Sequence, residues 1–167
     1  VWMREQGYFR LPNTDHFFSQ AKRYGIEEKE AFDQINMFNQ TGALGFIPAY
    51  KDSVEYVTKL ANEGWRFDVI TMIGKDKYAH RLRKINLQHL FGDVFDNIYC
   101  SGEFTESKKG VLKKYKDSNL MWIEDRIDYA RDGDEMGLKT YIMDWPYNRE
   151  YTGRRISSWK EIYDATH

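Results

Sequence analysis

From about residue 53 to its end, the chain alternates short apolar runs with amphipathic stretches of helical period. That alternation leaves few folds open to it. Residues 67–72, 97–100, 119–123 and 139–143 are short apolar runs with polar boundaries, the pattern of strands in the middle of a parallel sheet. Between and after them, residues 75–90, 108–115, 127–136 and 157–165 carry apolar residues on one helical face. A further helix is predicted from Asp52 or Ser53 through Asn62, with Val54, Val57 and Leu60 facing a core and Gly64 as its stop. Strands alternating with helices imply right-handed crossovers. The predicted fold is a three-layer, Rossmann-like α/β domain built on a parallel sheet.

The first 48 residues do not alternate in this way. Residues 15–24 read as a short helix with Asp15 as N-cap, and residues 27–39 as a second with Ala31, Ile35 and Phe38 on one face. Residues 41–48 hold two glycines and a proline and read as a connection. The expected organisation is a small helical cap over residues 1–48 and an α/β core over residues 49–167.

Composition narrows the partners. At 167 residues the chain is long enough for one domain with a full core. A net charge of -1 gives no bulk attraction to nucleic acid or an acidic membrane surface. No apolar stretch is long enough to span a bilayer, and no secretory leader pattern is visible. A single cysteine, Cys100, rules out an internal disulfide framework and fits a reducing, cytoplasmic setting.

The residues able to carry chemistry lie at the predicted strand ends. The run Asn119-Leu120-Met121-Trp122-Ile123 stops abruptly at Glu124 and Asp125. Acids at the carboxyl end of a buried parallel strand sit where open α/β sheets bind ligands. Two adjacent carboxylates there suit a hard cation such as Mg²⁺, and Asp125 is the candidate metal ligand. They could equally cap the next helix and meet its positive end. Asp128 either supports Asp125 or favours the first turn of that helix.

Thr71 ends another strand, where its hydroxyl can bond a phosphate oxygen or simply serve as a β-branched strand residue. Lys108 and Lys109 open a helix. Either can reach a phosphate, or both can be solvated surface residues. Asn148, in the loop Trp145-Pro146-Tyr147-Asn148, either bonds its own turn or positions a carboxylate. His16, His80, His89 and His167 show no metal-ligand spacing.

Taken in order, Thr71, Lys108 (or Lys109) and Glu124-Asp125 resemble the second, third and fourth motifs of the haloacid dehalogenase superfamily of phosphohydrolases. The segment Gly-Leu-Lys-Thr-Tyr-Ile-Met-Asp-Trp-Pro-Tyr-Asn-Arg, with Trp159 downstream, resembles the tail of the cytosolic and mitochondrial type of deoxyribonucleotidase. The resemblance covers roughly residues 46–167. It implies a Mg²⁺-dependent phosphomonoesterase acting on a nucleoside monophosphate at its 5′-phosphate. In that scheme an aspartate attacks phosphorus and a second serves as general acid and base. By the same resemblance Asp125 would hold Mg²⁺, Thr71 a phosphoryl oxygen and Lys108 the developing charge. Glu124, Asp128 and Asn148 would support them, and Phe46 or another cap aromatic would face the base or sugar.

The chain departs from that pattern at its start. The superfamily's first motif is an apolar strand ending in Asp-x-Asp, and nothing before Asp15 fits it. The only Asp-x-Asp is Asp132-Gly133-Asp134, which falls in a predicted helix and reads as a surface feature. Two expectations follow: a shortened chain, inactive alone, whose sheet gap is closed by a second copy or by the N-terminal segment, or a non-catalytic module that binds a nucleotide or a protein. A phosphatase for another small phosphate ester is the remaining alternative.

Overall fold

The computed structural model describes residues 1–103 and 106–167. Eight α-helices are present among them: α1 (Trp2–Glu5), α2 (Gln20–Tyr24), α3 (Glu28–Asn39), α4 (Ser53–Asn62), α5 (Lys77–Phe91), α6 (Lys109–Leu112), α7 (Ile127–Glu135) and α8 (Trp159–Asp164). The strands are β1 (Phe67–Met72), β2 (Phe95–Ser101), β3 (Met121–Glu124), β4 (Lys139–Met143) and β5 (Arg154–Ile156). From β1 onward strands and helices alternate as the sequence pattern requires, and every strand pair is parallel.

Local chemistry sets the element ends. Helix α2 starts at Gln20 rather than at Asp15, because Ser19 Oγ accepts from the backbone N–H of Lys22. Asp15 is drawn off by Arg10, 2.5 Å away. Asp76 caps α5 through the Ala79 N–H at 2.8 Å. Asp52 makes no side-chain cap on α4, the helix it precedes. Its carboxylate instead accepts from Trp159 and Lys160 at the start of α8, at 3.1 and 3.0 Å. The helix expected over residues 108–115 is short, because its second half tightens into a 3-10 turn at Lys113–Tyr115. Strand β5 has no counterpart among the expected strands; with two arginines in three residues it carries no apolar run.

The sheet is in two parts. One holds β1 and β2, with Thr71 in register with Cys100. The other has the order β3-β4-β5. Among the described residues no ladder joins β1 to β3, so each presents one edge without a strand partner. Burial follows from this. Strand β4, flanked on both sides, is buried from Thr140 to Met143, whereas β3 is only half-buried before Glu124. Side chains hold the two parts together. Ile70 of β1, Leu112 and Leu138 form one cluster, with Trp122 of β3 packed against it. Phe67 of β1 packs with Met121 and Ile123 against a second cluster of Leu60, Tyr141, Met143, Ile156 and Ile162.

Gly133 fixes how closely α7 approaches the sheet. A Cβ there would lie 2.2 Å from Trp122 Cδ1 and 2.8 Å from Thr140 Oγ1. The indole cannot retreat freely, because its Nε1 donates to the Tyr129 carbonyl at 3.0 Å. An alanine in a helix normally gains about 1 kcal/mol over glycine. Overpacking a tight core costs about 1–3 kcal/mol, and at 2.2 Å the upper end applies. Gly133→Ala is therefore expected to destabilise by about 2 kcal/mol in urea unfolding. An unchanged or raised midpoint would show that helix and sheet can part without cost.

The opening segment lies over the loop after β4. The Phe18 ring meets that of Tyr147 at 5.3 Å, and the Arg23 guanidinium sits 5.5 Å from the same ring. On the opposite side, Asn86 of α5 donates to the carbonyls of Gly45 and Ile47, anchoring the 3-10 turn Gly42–Phe46.

Candidate active site

Lys108 stands immediately before α6, and its backbone is pinned by α7. Asp132 Oδ2 accepts from the Lys108 N–H and from Ser107 Oγ, both at 2.8 Å. Its side chain is 8% exposed and its Nζ is ion-paired with Glu124 Oε1. The ammonium also lies 4.5 Å from the Tyr129 ring centroid and 5.2 Å from that of Trp122. Lys109 points the other way, to Glu135 at 2.6 Å on α7. Of the two candidate lysines, only Lys108 is directed at the acidic pair.

Glu124 is the last residue of β3, not the first residue beyond it, and its side chain is 7% exposed. Burial pushes its carboxyl up from the usual range, and the Lys108 ammonium opposes that shift. Asp125 follows at the turn. Its N–H donates to Glu124 Oε2 at 3.3 Å, and its Oδ2 accepts from the Tyr147 hydroxyl at 2.6 Å. Burial and the Asp125 charge both raise the Tyr147 hydroxyl, so it remains a donor at neutral pH.

Asn148 ties this corner to the rest of the sheet and is fully buried. Its Nδ2 donates to the carbonyls of Asp125 and Met143, each at 2.7 Å. Its Oδ1 accepts from the Trp145 N–H at 3.1 Å and from Arg155 at 2.7 Å. Asn148 closes its own turn and bonds the Asp125 backbone, not its carboxylate. Trp145 is extended, as the following proline requires.

Three expected participants stand apart. Asp128 is exposed and paired with Arg126, so it does not buttress Asp125. Arg126 is the nearer cation and takes both of its oxygens. Phe46 is 85% exposed at the end of its 3-10 turn and lines neither the cavity beside α3 nor the one beside α7. Thr71 lies one residue before the end of β1, and among the described residues no hydrogen bond links it to Lys108 or Asp125. Conversely, Asp132 is no surface residue. It is buried and sets the Lys108 backbone. Helical spacing could have shown that Tyr129, three residues before it, shares its buried side of α7. Tyr147 carries no sequence signal beyond its place in the loop.

A cavity of about 320 Å³ lies where α3 meets the loop after β1. Another, of about 250 Å³, lies between α7 and the segment before β5. Among the described residues no three His, Cys, Asp or Glu side chains converge as a metal site. With Glu124 committed to Lys108, Asp125 offers one carboxylate. Mg²⁺ commonly binds one or two carboxylates and completes its shell with water and phosphate oxygens. The residues therefore fit a cation shared with a phosphate, not a self-contained site.

The α/β fold is similar to that of a solved phosphatase structure. A D,D-heptose 1.7-bisphosphate phosphatase from B. bronchiseptica, complexed with magnesium and phosphate, matches it at a TM-score of 0.56. The match covers 71% of this chain and 83% of that one at 11% identity, a likeness of fold. In sequence, an uncharacterized 32.4 kDa protein from the Gp30-rIII intergenic region of Enterobacteria phage T4 is 25% identical over 161 residues. That stretch is 92% of this chain and 56% of the phage protein, so the chain spans little more than half its curated relative. No protein-family profile matches the chain.

Proposed function

We propose that this chain carries the phosphate-handling part of a Mg²⁺-dependent phosphomonoesterase site. The observation that supports it is the buried Lys108–Glu124 pair beside Asp125 at the end of β3. An ion pair this enclosed costs desolvation that an apolar pair of the same volume would avoid. Its place at the strand end is where this architecture binds ligands. In this reading Lys108 supplies positive charge against a phosphoryl group, Thr71 donates a hydroxyl to it, and Glu124 keeps the ammonium in place. Asp125, with Tyr147 and Asn148 fixing its orientation, is one ligand for Mg²⁺. The cation would supply charge neutralisation at the phosphate.

The deoxyribonucleotidase form of this reading rests on residues 137–149. In the fold those residues serve the scaffold: Asn148 and Tyr147 hold Asp125, and Asp144 pairs with Arg155 at 2.9 Å. They bear on how the phosphate end is built and are neutral about the leaving group.

A second reading has a specific observation in its favour. Both acids of the sole Asp-x-Asp are committed within the fold, Asp132 to Ser107 and Lys108, Asp134 to Tyr151 at 2.8 Å. These 167 residues are then a module that binds without turnover.

Thermal unfolding with Mg²⁺ and inorganic phosphate tests the proposal. Saturating ligand stabilises by about 2–3 kcal/mol, or about 5–10 °C in a domain of this size. Asp125→Asn is expected to remove the Mg²⁺-dependent part of that increment, and Lys108→Met the phosphate-dependent part. An unliganded midpoint unmoved by both ions together sinks the proposal. Hydrolysis of p-nitrophenyl phosphate by the same chain would defeat the module reading, since it would need a nucleophile.

A further inference from the structure

The 320 Å³ cavity begins two residues beyond Thr71, on the side where α3 faces the core. Its walls are almost wholly polar. Asn36, Asn39 and Gln40 supply three side-chain amides from the end of α3, and Lys75, Asp76 (which also caps α5) and Glu103 supply charges from the loops after β1 and β2. Among the described residues, Ile73 is the one large apolar side chain in the lining. Glu103 Oε2 is buried there with no hydrogen-bond partner among the described residues. A buried carboxylate oxygen without a donor is costly, and a ligand hydroxyl would satisfy it.

We infer that this cavity receives the leaving group of the phosphate ester, and that this group is a neutral, hydroxyl-rich one: a sugar or other polyol. The inference rests on the phosphomonoester reading above. Each amide presents both a donor and an acceptor, which matches hydroxyls that are themselves both. Glu103 takes a hydroxyl proton in a hydrogen bond, and Lys75 donates to a hydroxyl oxygen. A nucleobase would need an aromatic or guanidinium face to stack on, and among the described residues the lining has none. Phe46, the ring the sequence offered for that task, stands 85% exposed outside the cavity.

The test follows the side-chain amide signals of Asn36, Asn39 and Gln40 by ¹⁵N NMR in the full chain. Glucose, which has no phosphate, is expected to shift these signals, and adenosine is not. Glu103→Gln replaces the unpartnered acceptor by an amide of the same shape. It should weaken glucose binding about tenfold, the effect of one hydrogen bond to a charged group. Absence of glucose shifts at the three amides, equal shifts with adenosine, or full affinity in Glu103→Gln would each overturn the inference. Inorganic phosphate with Mg²⁺ is measured in the same samples. Phosphate binding without glucose binding rejects the polyol and leaves the phosphomonoester reading standing. Glucose binding without phosphate binding rejects the phosphomonoester reading, and with it the leaving-group role of the cavity.

Discussion

Replacing Lys108 with methionine is expected to lower stability by about 3–5 kcal/mol, the cost of leaving a buried charge without its partner. The volume of the side chain is nearly kept, so the loss falls on Glu124, which is buried at the end of β3 and, among the described residues, ion-paired only with that ammonium. The deficit depends on pH in a defined direction. With the ammonium gone, the main opposition to the upward shift that burial imposes on the Glu124 carboxyl is lost, and the Asp125 N–H bond remains against it. Below the unfolded carboxyl's value of about 4.3, both states are protonated and the carboxylate contributes little to the deficit. As pH rises above it, the unfolded chain releases its proton first, and stability falls until the folded carboxyl also ionises. Urea unfolding at pH about 4 and about 7 should therefore show the larger deficit at the higher pH. The double variant Lys108→Met/Glu124→Leu should recover most of it, since an apolar pair of similar volume needs no ionic compensation. A single variant as stable as the parent at neutral pH would mean that water reaches Glu124.

Asn148→Ala is the second large effect, at about 3 kcal/mol. The side chain is fully buried and its removal strips donors from the carbonyls of Asp125 and Met143 and an acceptor from the Trp145 N–H. Each group left unpaired costs about 1–3 kcal/mol, and water entering the vacated space repairs part of that. Asn148→Asp separates the loss of the donors from the loss of volume. It keeps an acceptor for Trp145 and Arg155 but turns a carboxylate oxygen toward two carbonyls, so it should be at least as damaging. Both variants should also blunt the Mg²⁺ response proposed for Asp125, because its backbone loses its anchor. An aspartate variant that unfolds at the parent's midpoint would show that the two carbonyl contacts add nothing.

The α/β class and the position of the acidic corner are legible in the amino-acid sequence. Strand β4, Lys139–Met143, is legible to the residue, because its apolar run is bounded by Gly137 and Asp144. Helix α3 is nearly so, since its apolar face repeats at helical spacing. Element ends set by distant partners are not legible. Asp52 looks like the cap of α4 and serves α8, more than a hundred residues away. Asp15 looks like a cap and is held by Arg10.

The same division runs through the candidate site. The sequence by itself determined that Lys108, Glu124 and Asp125 are the right chemical types at strand and helix ends, because hydrophobic periodicity fixes where strands stop. Only the tertiary structure decided which lysine turns inward, that Asp132 anchors it, that Asp128 turns away to Arg126, and that the sheet divides between β1 and β3. The physical reason is range. Periodicity and capping act within a few residues, whereas ion pairing, burial and strand pairing join groups that only the folded chain brings together.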